Sequence, residues 1–313
     1  MSQIDTSSPI LRLGTRESPL AMAQARETRE RLCRAHGWAI DQVELVSVKA
    51  SGDKVLDRPL ADIGGKALWT KELDQWLGEG HVDACVHSMK DVETVRPPQF
   101  VIAAILPRAD RRDALVGAAN IAAIPQGAKV GTSAPRRAAQ LLNQRPDCSV
   151  VGIRGNVATR LAKLEAGEAD VTFLAAAGLE RLGETGVGSA LDSSEWIPAA
   201  AQGAIGIECR AEDGRVRDLL AAIDHAPSHA EVLADRALLE ALGGNCHSSV
   251  AVDSRFQDET IAMRAVVFSP DGRERVDDEE TFAASDMSGP RVLAERLLAA
   301  SSQAIRKHFD PPA

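Results

Sequence analysis

An α/β fold with a smaller α+β portion at the C-terminal end is what this sequence predicts. Short apolar runs alternate with amphipathic stretches over most of its length, the pattern of strands and helices packed in layers. Serine, proline and glycine punctuate the junctions where helix caps and stops belong. Past Gly243-Gly244 the pattern changes. TIAMRAVVFS (260–269) runs into a Pro-Asp-Gly turn, which predicts antiparallel strands.

ILRLG (10–14) predicts the first strand. Ser18 is the expected N-cap and Pro19 the first residue of a helix that Gly37 closes. VELVSV (43–48) predicts another strand, and DIGGK (62–66) a glycine loop. The next helix places Trp69, Leu73, Trp76 and Leu77 on one apolar face. DACVHS (83–88) predicts a buried strand, with Lys90 and Asp91 just past its carboxyl end. A second series starts near Asp110. KVGTS leads into a helix from Ala134, SVVGI into one from Asn156, and VTFLA into a short one around Leu179. AIGIEC (204–209) is a further strand. Ser228 and Glu231 form a capping-box pattern for a helix ending at Gly243-Gly244, and the last helix starts near Pro290.

A chain of 313 residues with 44% apolar content has material for two domains or three smaller ones. The charge of −9, from 36 basic and 45 acidic residues, argues against a general nucleic-acid binder. Aromatic content of 3% and the absence of tyrosine argue against base stacking. MSQIDTSSPI does not read as a signal peptide, and no apolar run reaches membrane-spanning length. The five cysteines are odd in number and form no CxxC pair, so neither a disulfide framework nor a zinc site is expected. Together these features predict a soluble protein in a reducing compartment.

The arginines sit where arginine is unfavourable. Arg136 and Arg137 fall in the first turn of a predicted helix, where a cation opposes the helix dipole. An anion at the same terminus removes that cost. Thr132 and Ser133 add hydroxyls at the junction. Arg154 and Arg160 repeat the arrangement after the next strand, Arg16 and Ser18 after the first, and Arg181 follows a fourth. Ligands of open α/β sheets bind beyond the carboxyl ends of strands. A polyanion site built by arginine forks accounts for the recurrence better than ordinary exposed arginines do.

Asp91 has the position of a carboxylate that stabilises a cation or moves a proton, or of a simple cap. Lys66 in the glycine loop is a candidate anion ligand or Schiff-base lysine. A structural hydrogen bond is the expected role of His87. Cys33, Cys85, Cys148 and Cys209 read as core residues. Cys246 differs, because GGNCHSS follows a helix end and its glycines permit an exposed thiolate.

Eight segments in order carry a resemblance. They are TRESPLA (15–21), GGKALWTKEL (64–73), HSMKDV (87–92), GTSAPRR (131–137), RGNVATRL (154–161), AAAGLERLG (175–183), QGAIGIECR (202–210) and GGNCHSS (243–249). Across nearly its whole length the chain resembles the porphobilinogen deaminase family. The resemblance implies two lobes like those of type II periplasmic binding proteins and a smaller C-terminal domain. It places residues 1–104 with a return segment 199–223 in the first lobe, 105–198 in the second, and 224–313 in the cofactor-attachment domain. It implies a dipyrromethane cofactor, thioether-linked to Cys246 and used as primer. Four porphobilinogen molecules are added with loss of ammonia, and hydrolysis releases hydroxymethylbilane. Asp91 matches the catalytic aspartate. Arg16, Arg136, Arg137, Arg154, Arg160 and Arg181 match the carboxylate-binding arginines. Ser18, Lys66, Lys90, Thr132 and Ser133 match polar contacts beside them. A cytoplasmic monomer without nucleic-acid or membrane partners is the corresponding expectation.

The pattern is departed from at Ala134, Pro135, Ala158, Asn245 and Ser249, which bears on local loop geometry. A solute-binding module is the main rival, but it needs neither Cys246 nor Asp91. A Schiff-base enzyme on Lys66 or Lys90 is another, and a phosphate-binding enzyme lacks a P-loop pattern here.

Overall fold

The computed structural model describes residues 9–48, 70–245 and 248–309. Three sheets organise them. The first has five strands in the order β2-β1-β3-β10-β4. Strands β1 (Leu11–Arg16), β2 (Val43–Val48) and β3 (Ala84–Ser88) run parallel, and β10 (Ile205–Arg210) lies antiparallel between β3 and β4 (Phe100–Ile105). The second sheet has the order β7-β6-β8-β5-β9. Here β6 (Lys129–Gly131), β7 (Ser149–Val151) and β8 (Val171–Ala175) are parallel. Strand β5 (Asp113–Val116) is antiparallel between β8 and β9 (Ser189–Ala190). Each sheet is therefore a parallel trio extended by an antiparallel strand that follows a crossing between the sheets. The crossing segments bond each other, Leu106 N donating to Ile205 O at 3.0 Å and Ala109 N to Gly203 O at 3.3 Å.

Helix α1 (Pro19–His36) follows the expected punctuation. The Ser18 hydroxyl accepts from Ala21 N at 3.3 Å, and Gly37 closes the helix at φ +70°. Helix α2 (Lys71–Gly78) buries Leu73 and Leu77; Trp69 and the DIGGK loop lie outside the described residues. Helices α3 (Pro135–Gln144), α4 (Val157–Glu165) and α5 (Ala176–Arg181) each begin just past a parallel strand of the second sheet. Helix α6 (Gly214–Ala221) packs Val216 and Leu220 into the core of the first lobe.

The third sheet is antiparallel, β11 (Val250–Gln257), β12 (Thr260–Phe268) and β13 (Arg275–Ala283). It shares a core with α7 (Ala226–Leu242) and α8 (Ser288–Ala300), and α9 (Gln303–Arg306) is the last described helix. The α/β class with a separate α+β unit agrees with the expectation. One local expectation fails. Helix α7 starts at Ala226, and its N-cap is His225, whose Nδ1 accepts from Ser228 N at 3.3 Å. Pro227 in the first turn favours that earlier start. Ser228 and Glu231 are turned to tertiary work instead. The Ser228 hydroxyl accepts from Arg108 N at 2.9 Å, and Glu231 accepts from Phe256 N at 3.0 Å and pairs with Arg108 and Arg111.

Cys33, Cys85, Cys148 and Cys209 are buried free thiols. Burial pushes the Cys209 thiol up to about 11, so it stays protonated and inert at neutral pH.

Candidate active site

A pocket opens beyond the carboxyl ends of β1 and β3. Arg16, Ser18, Gln24, His87, Ser88 and Asp91 line it. Asp91 sits on a 3-10 turn, Met89–Asp91, that continues from β3. Met89 anchors that turn in an apolar cluster with Val92, Ile105, Ala201, Ala204 and Val232. Gly206 on β10 makes the fit possible, because a Cβ there would collide with Met89 Sδ. The Asp91 carboxylate accepts no hydrogen bond among the described residues. Gln24 and Ser88 bond side chain to side chain at 2.8 Å in the pocket wall.

From the second lobe come the arginines of α3. Arg136 and Arg137 are both buried, and the anion that compensates them belongs to the chain itself. Asp113, fully buried at the start of β5, accepts from Arg136 Nη1 at 2.6 Å and from Arg137 Nη2 at 2.7 Å. Trp196 Nε1 and Gln202 Nε2 complete its shell at 2.8 and 2.9 Å. Burial alone would raise the Asp113 pKa, but the two guanidiniums hold it well below the usual range. Trp196 stacks on Phe173 at 4.7 Å, which fixes this shell to the hydrophobic core.

Asp113 does not exhaust the positive charge. Among the described residues, Arg136 Nε is buried with no partner. Lys90 feels Asp91, Arg137, Asp113 and Arg160 together, so the turn of the first lobe faces the arginines of the second. Its amine makes no hydrogen bond or ion pair among the described residues. Burial lowers it to about 8, against the pull of Asp91. Arg160 bonds Gly155 O through Nε at 2.9 Å. Burial and then the charge of Arg137 bring it down to about 10. Among the described residues, Lys90, Arg136, Arg137 and Arg160 outnumber the carboxylates Asp91 and Asp113 that act on them. Arg154 adds its field to Arg160.

The other expected residues fall nearby. Thr132 Oγ1 accepts from Ala134 N at 3.1 Å, and Ser133 Oγ donates to Ile153 O at 3.1 Å, so both order the junctions after β6 and β7. Arg181 ends α5, where it pairs with Glu27 of α1 at 3.3 Å and donates to Gly203 O at 3.1 Å. It therefore ties α5 of the second lobe to α1 of the first. Lys66 and Cys246 lie outside the described residues. Sequence reasoning missed Asp113, Gln24 and Ser88. A charged residue opening the apolar run DALV was the available signal for Asp113.

A dipyrromethane carries acetate and propionate groups, two of each. The unpartnered Arg136 Nε and the surplus of positive charge fit such a group, and Asp91 leaves acceptors for its pyrrole N–H groups.

The family model "Porphobilinogen deaminase, dipyromethane cofactor binding domain" matches residues 11–218, and "Porphobilinogen deaminase, C-terminal domain" matches 229–299. The porphobilinogen deaminase of Sphingopyxis alaskensis is 51% identical and covers 99% of both chains. That of Paracoccus denitrificans is 48% identical over 95% of this chain and 96% of its own. The chloroplastic enzyme of Oryza sativa subsp. japonica is 46% identical over 84% and 75%. Among solved structures, immunogenic lipoprotein A from Vibrio vulnificus overlaps 71% of this chain and 98% of its own, at 10% identity and a TM-score of 0.40. No helix among the described residues is long and apolar enough to cross a membrane. On its two family matches and its near full-length relatives, the chain belongs to the porphobilinogen deaminase family.

Proposed function

We propose that this chain joins four porphobilinogen molecules head to tail, with loss of ammonia, and releases hydroxymethylbilane, with Asp91 as its catalytic residue. The observation that carries the reading is the pocket lined by Arg16, Ser18 and Asp91, with Lys90 next to Asp91 and within the influence of Arg137, Asp113 and Arg160. When bound, the dipyrromethane supplies the nucleophilic pyrrole carbon that starts the chain. Lys90, Arg136, Arg137, Arg154, Arg160 and Arg16 bind and orient the acetates and propionates of the growing polyanion. Ser18, Thr132 and Ser133 hold the junctions that aim them. Arg181 keeps the lobes in register, and Lys66 adds a contact from the glycine loop. The Asp91 carboxylate accepts pyrrole N–H groups and offsets the positive charge left as ammonia departs. Cys246, matched by GGNCHSS, carries the primer through its sulfur.

We also propose the division into 1–104 with 199–223, 105–198 and 224–313, and a cytoplasmic monomer whose partner is the small-molecule substrate, without nucleic acid. The antiparallel place of β10 in the first sheet supports the return segment.

The test is the intact denatured mass of the native protein beside Cys246→Ala. The native chain is expected to exceed its sequence mass by two porphobilinogen units less two ammonias, and the variant to lack the excess. An excess retained in the variant moves the attachment elsewhere. No excess in protein supplied with porphobilinogen overturns the reading.

A further inference from the structure

His87 is a buried imidazole in the pocket wall, and the roles assigned above leave it unused. Its Nε2 lies 3.3 Å from Glu208 Oε2, near enough for an ion pair though not aligned as a hydrogen bond. Glu208 is a fully buried carboxylate in the middle of β10. Arg96 clamps it from the other side, Nε and Nη2 each donating at 2.8 Å. Arg96 also donates to Asp74 of α2 at 2.5 Å and to Glu93 at 2.7 Å. Arg236 of α7 adds a cation and donates to the carbonyls of Glu93 and Thr94. Two guanidiniums thus stand against three carboxylates behind the ring. Arg16 and Asp91 face the same pocket in front of it. The ring thus lies between the carboxylate clamped by Arg96 on one side and the pocket that it lines on the other.

We infer that His87 is a proton carrier for the condensation, backed by Glu208 as its positioning residue; this rests on the function proposed above. In each condensation the C–N bond of the aminomethyl group breaks, and its electron pair leaves with ammonia. A C–C bond forms between that methylene and the α-carbon of the preceding ring, and that carbon must then lose a proton. His87 takes the proton at Nδ1, and the imidazolium is stabilised by Glu208. It then gives the proton to the ammonia already released from the methylene, which leaves the site as ammonium, so charge and protons balance in each cycle. Asp91 offsets the positive charge throughout without itself having to release the proton. The arrangement is a carboxylate–histidine pair, with Glu208 beside the ring as its counter-charge.

His87→Gln tests this, because the glutamine amide can still reach Glu208 but cannot titrate. The variant is expected to carry dipyrromethane by intact mass and to keep its KM. Its kcat falls by roughly 100-fold, and the acid-side pH dependence of kcat disappears. Glu208→Gln keeps the ring and moves that acid-side dependence toward lower pH. A ring resonance of histidine-labelled protein that is missing in His87→Gln shifts the same way in Glu208→Gln. A kcat for His87→Gln within about twofold of native, with an unchanged pH profile, overturns the inference. If His87→Gln does not fold, an unchanged profile and ring titration in Glu208→Gln overturn it instead. A native protein without dipyrromethane sinks the proposed function, a different failure from either.

Discussion

The cleft lies between two buried polar clusters of opposite imbalance. In the second lobe one carboxylate, Asp113, serves two arginines, and positive charge is left over. In the first lobe one arginine, Arg96, is shared among Glu208, Asp74 and Glu93, and negative charge is left over. Both are anchored in β-strands: Asp113 opens β5, and Glu208 lies in β10. Those are the strands that follow the two crossings between sheets. The chain thus places a single acidic residue at the same topological point of each lobe and surrounds it differently. A cation surplus receives carboxylates. An anion surplus supports a proton or a developing cation. A reaction that threads a polyanion past a cationic transition state needs one of each.

The comparison breaks most sharply at Asp113. In Asp113→Asn, Arg136 and Arg137 keep their charges without the shared anion. Removing one partner of a buried ion pair costs about 3–5 kcal/mol, because the remaining charge stays buried. Urea unfolding is expected to show a loss of that order, and intact mass a fall in dipyrromethane content. The acid response has a definite sign. Asp113 is held well below its ordinary value of 3.8, so its stabilisation is complete above that pH and is lost progressively as the pH falls from there through the depressed range. A variant as stable as native would show that the arginines do not depend on this carboxylate.

That cluster also marks where the sequence stops being legible. The strands and helices follow from local signals such as Ser18, Pro19 and Gly37, whose caps depend only on neighbouring backbone. The recurrence of arginine at strand ends was legible too, since an unfavourable dipole position is a property of the helix alone. Its partner was not. Asp113 is 23 and 24 residues from the arginines it pairs, and only the packing of β5 against β8 brings them together. Glu208 is the same case, because an acidic residue inside the apolar run AIGIEC can be assigned only once β10 lies beside β3. Ser228 and Glu231 show the converse. Their spacing matches a capping box, yet Arg108 and Arg111 from a crossing segment claim both side chains.

A smaller effect sharpens the charge balance at Lys90. Burial brings this amine down to about 8, so it loses its charge in a range where the arginines keep theirs. A bound carboxylate favours the ammonium form, so affinity is complete below that pH and declines above it. The KM for porphobilinogen is expected to rise by up to about tenfold per pH unit, the limit for one coupled proton. Lys90→Arg should remove the rise, because guanidinium stays protonated throughout. A rise that persists in Lys90→Arg assigns the titration to another group and removes Lys90 from the cation surplus.

The smallest expected effect lies outside both clusters and separates fold from site. Gly37 ends α1 at φ +70°, and a Cβ added there would meet nothing within 4 Å. Gly37→Ala therefore pays only for left-handed backbone, about 1 kcal/mol. The other end of α1 is Ser18 in the pocket, about 27 Å away along an 18-residue helix at its usual rise. Thermal unfolding should show the loss while kcat, KM and their pH dependence stay native. If a backbone change at that distance altered the kinetics, α1 would transmit strain to the pocket. The effects of Asp113 and Lys90 would then no longer report charge alone.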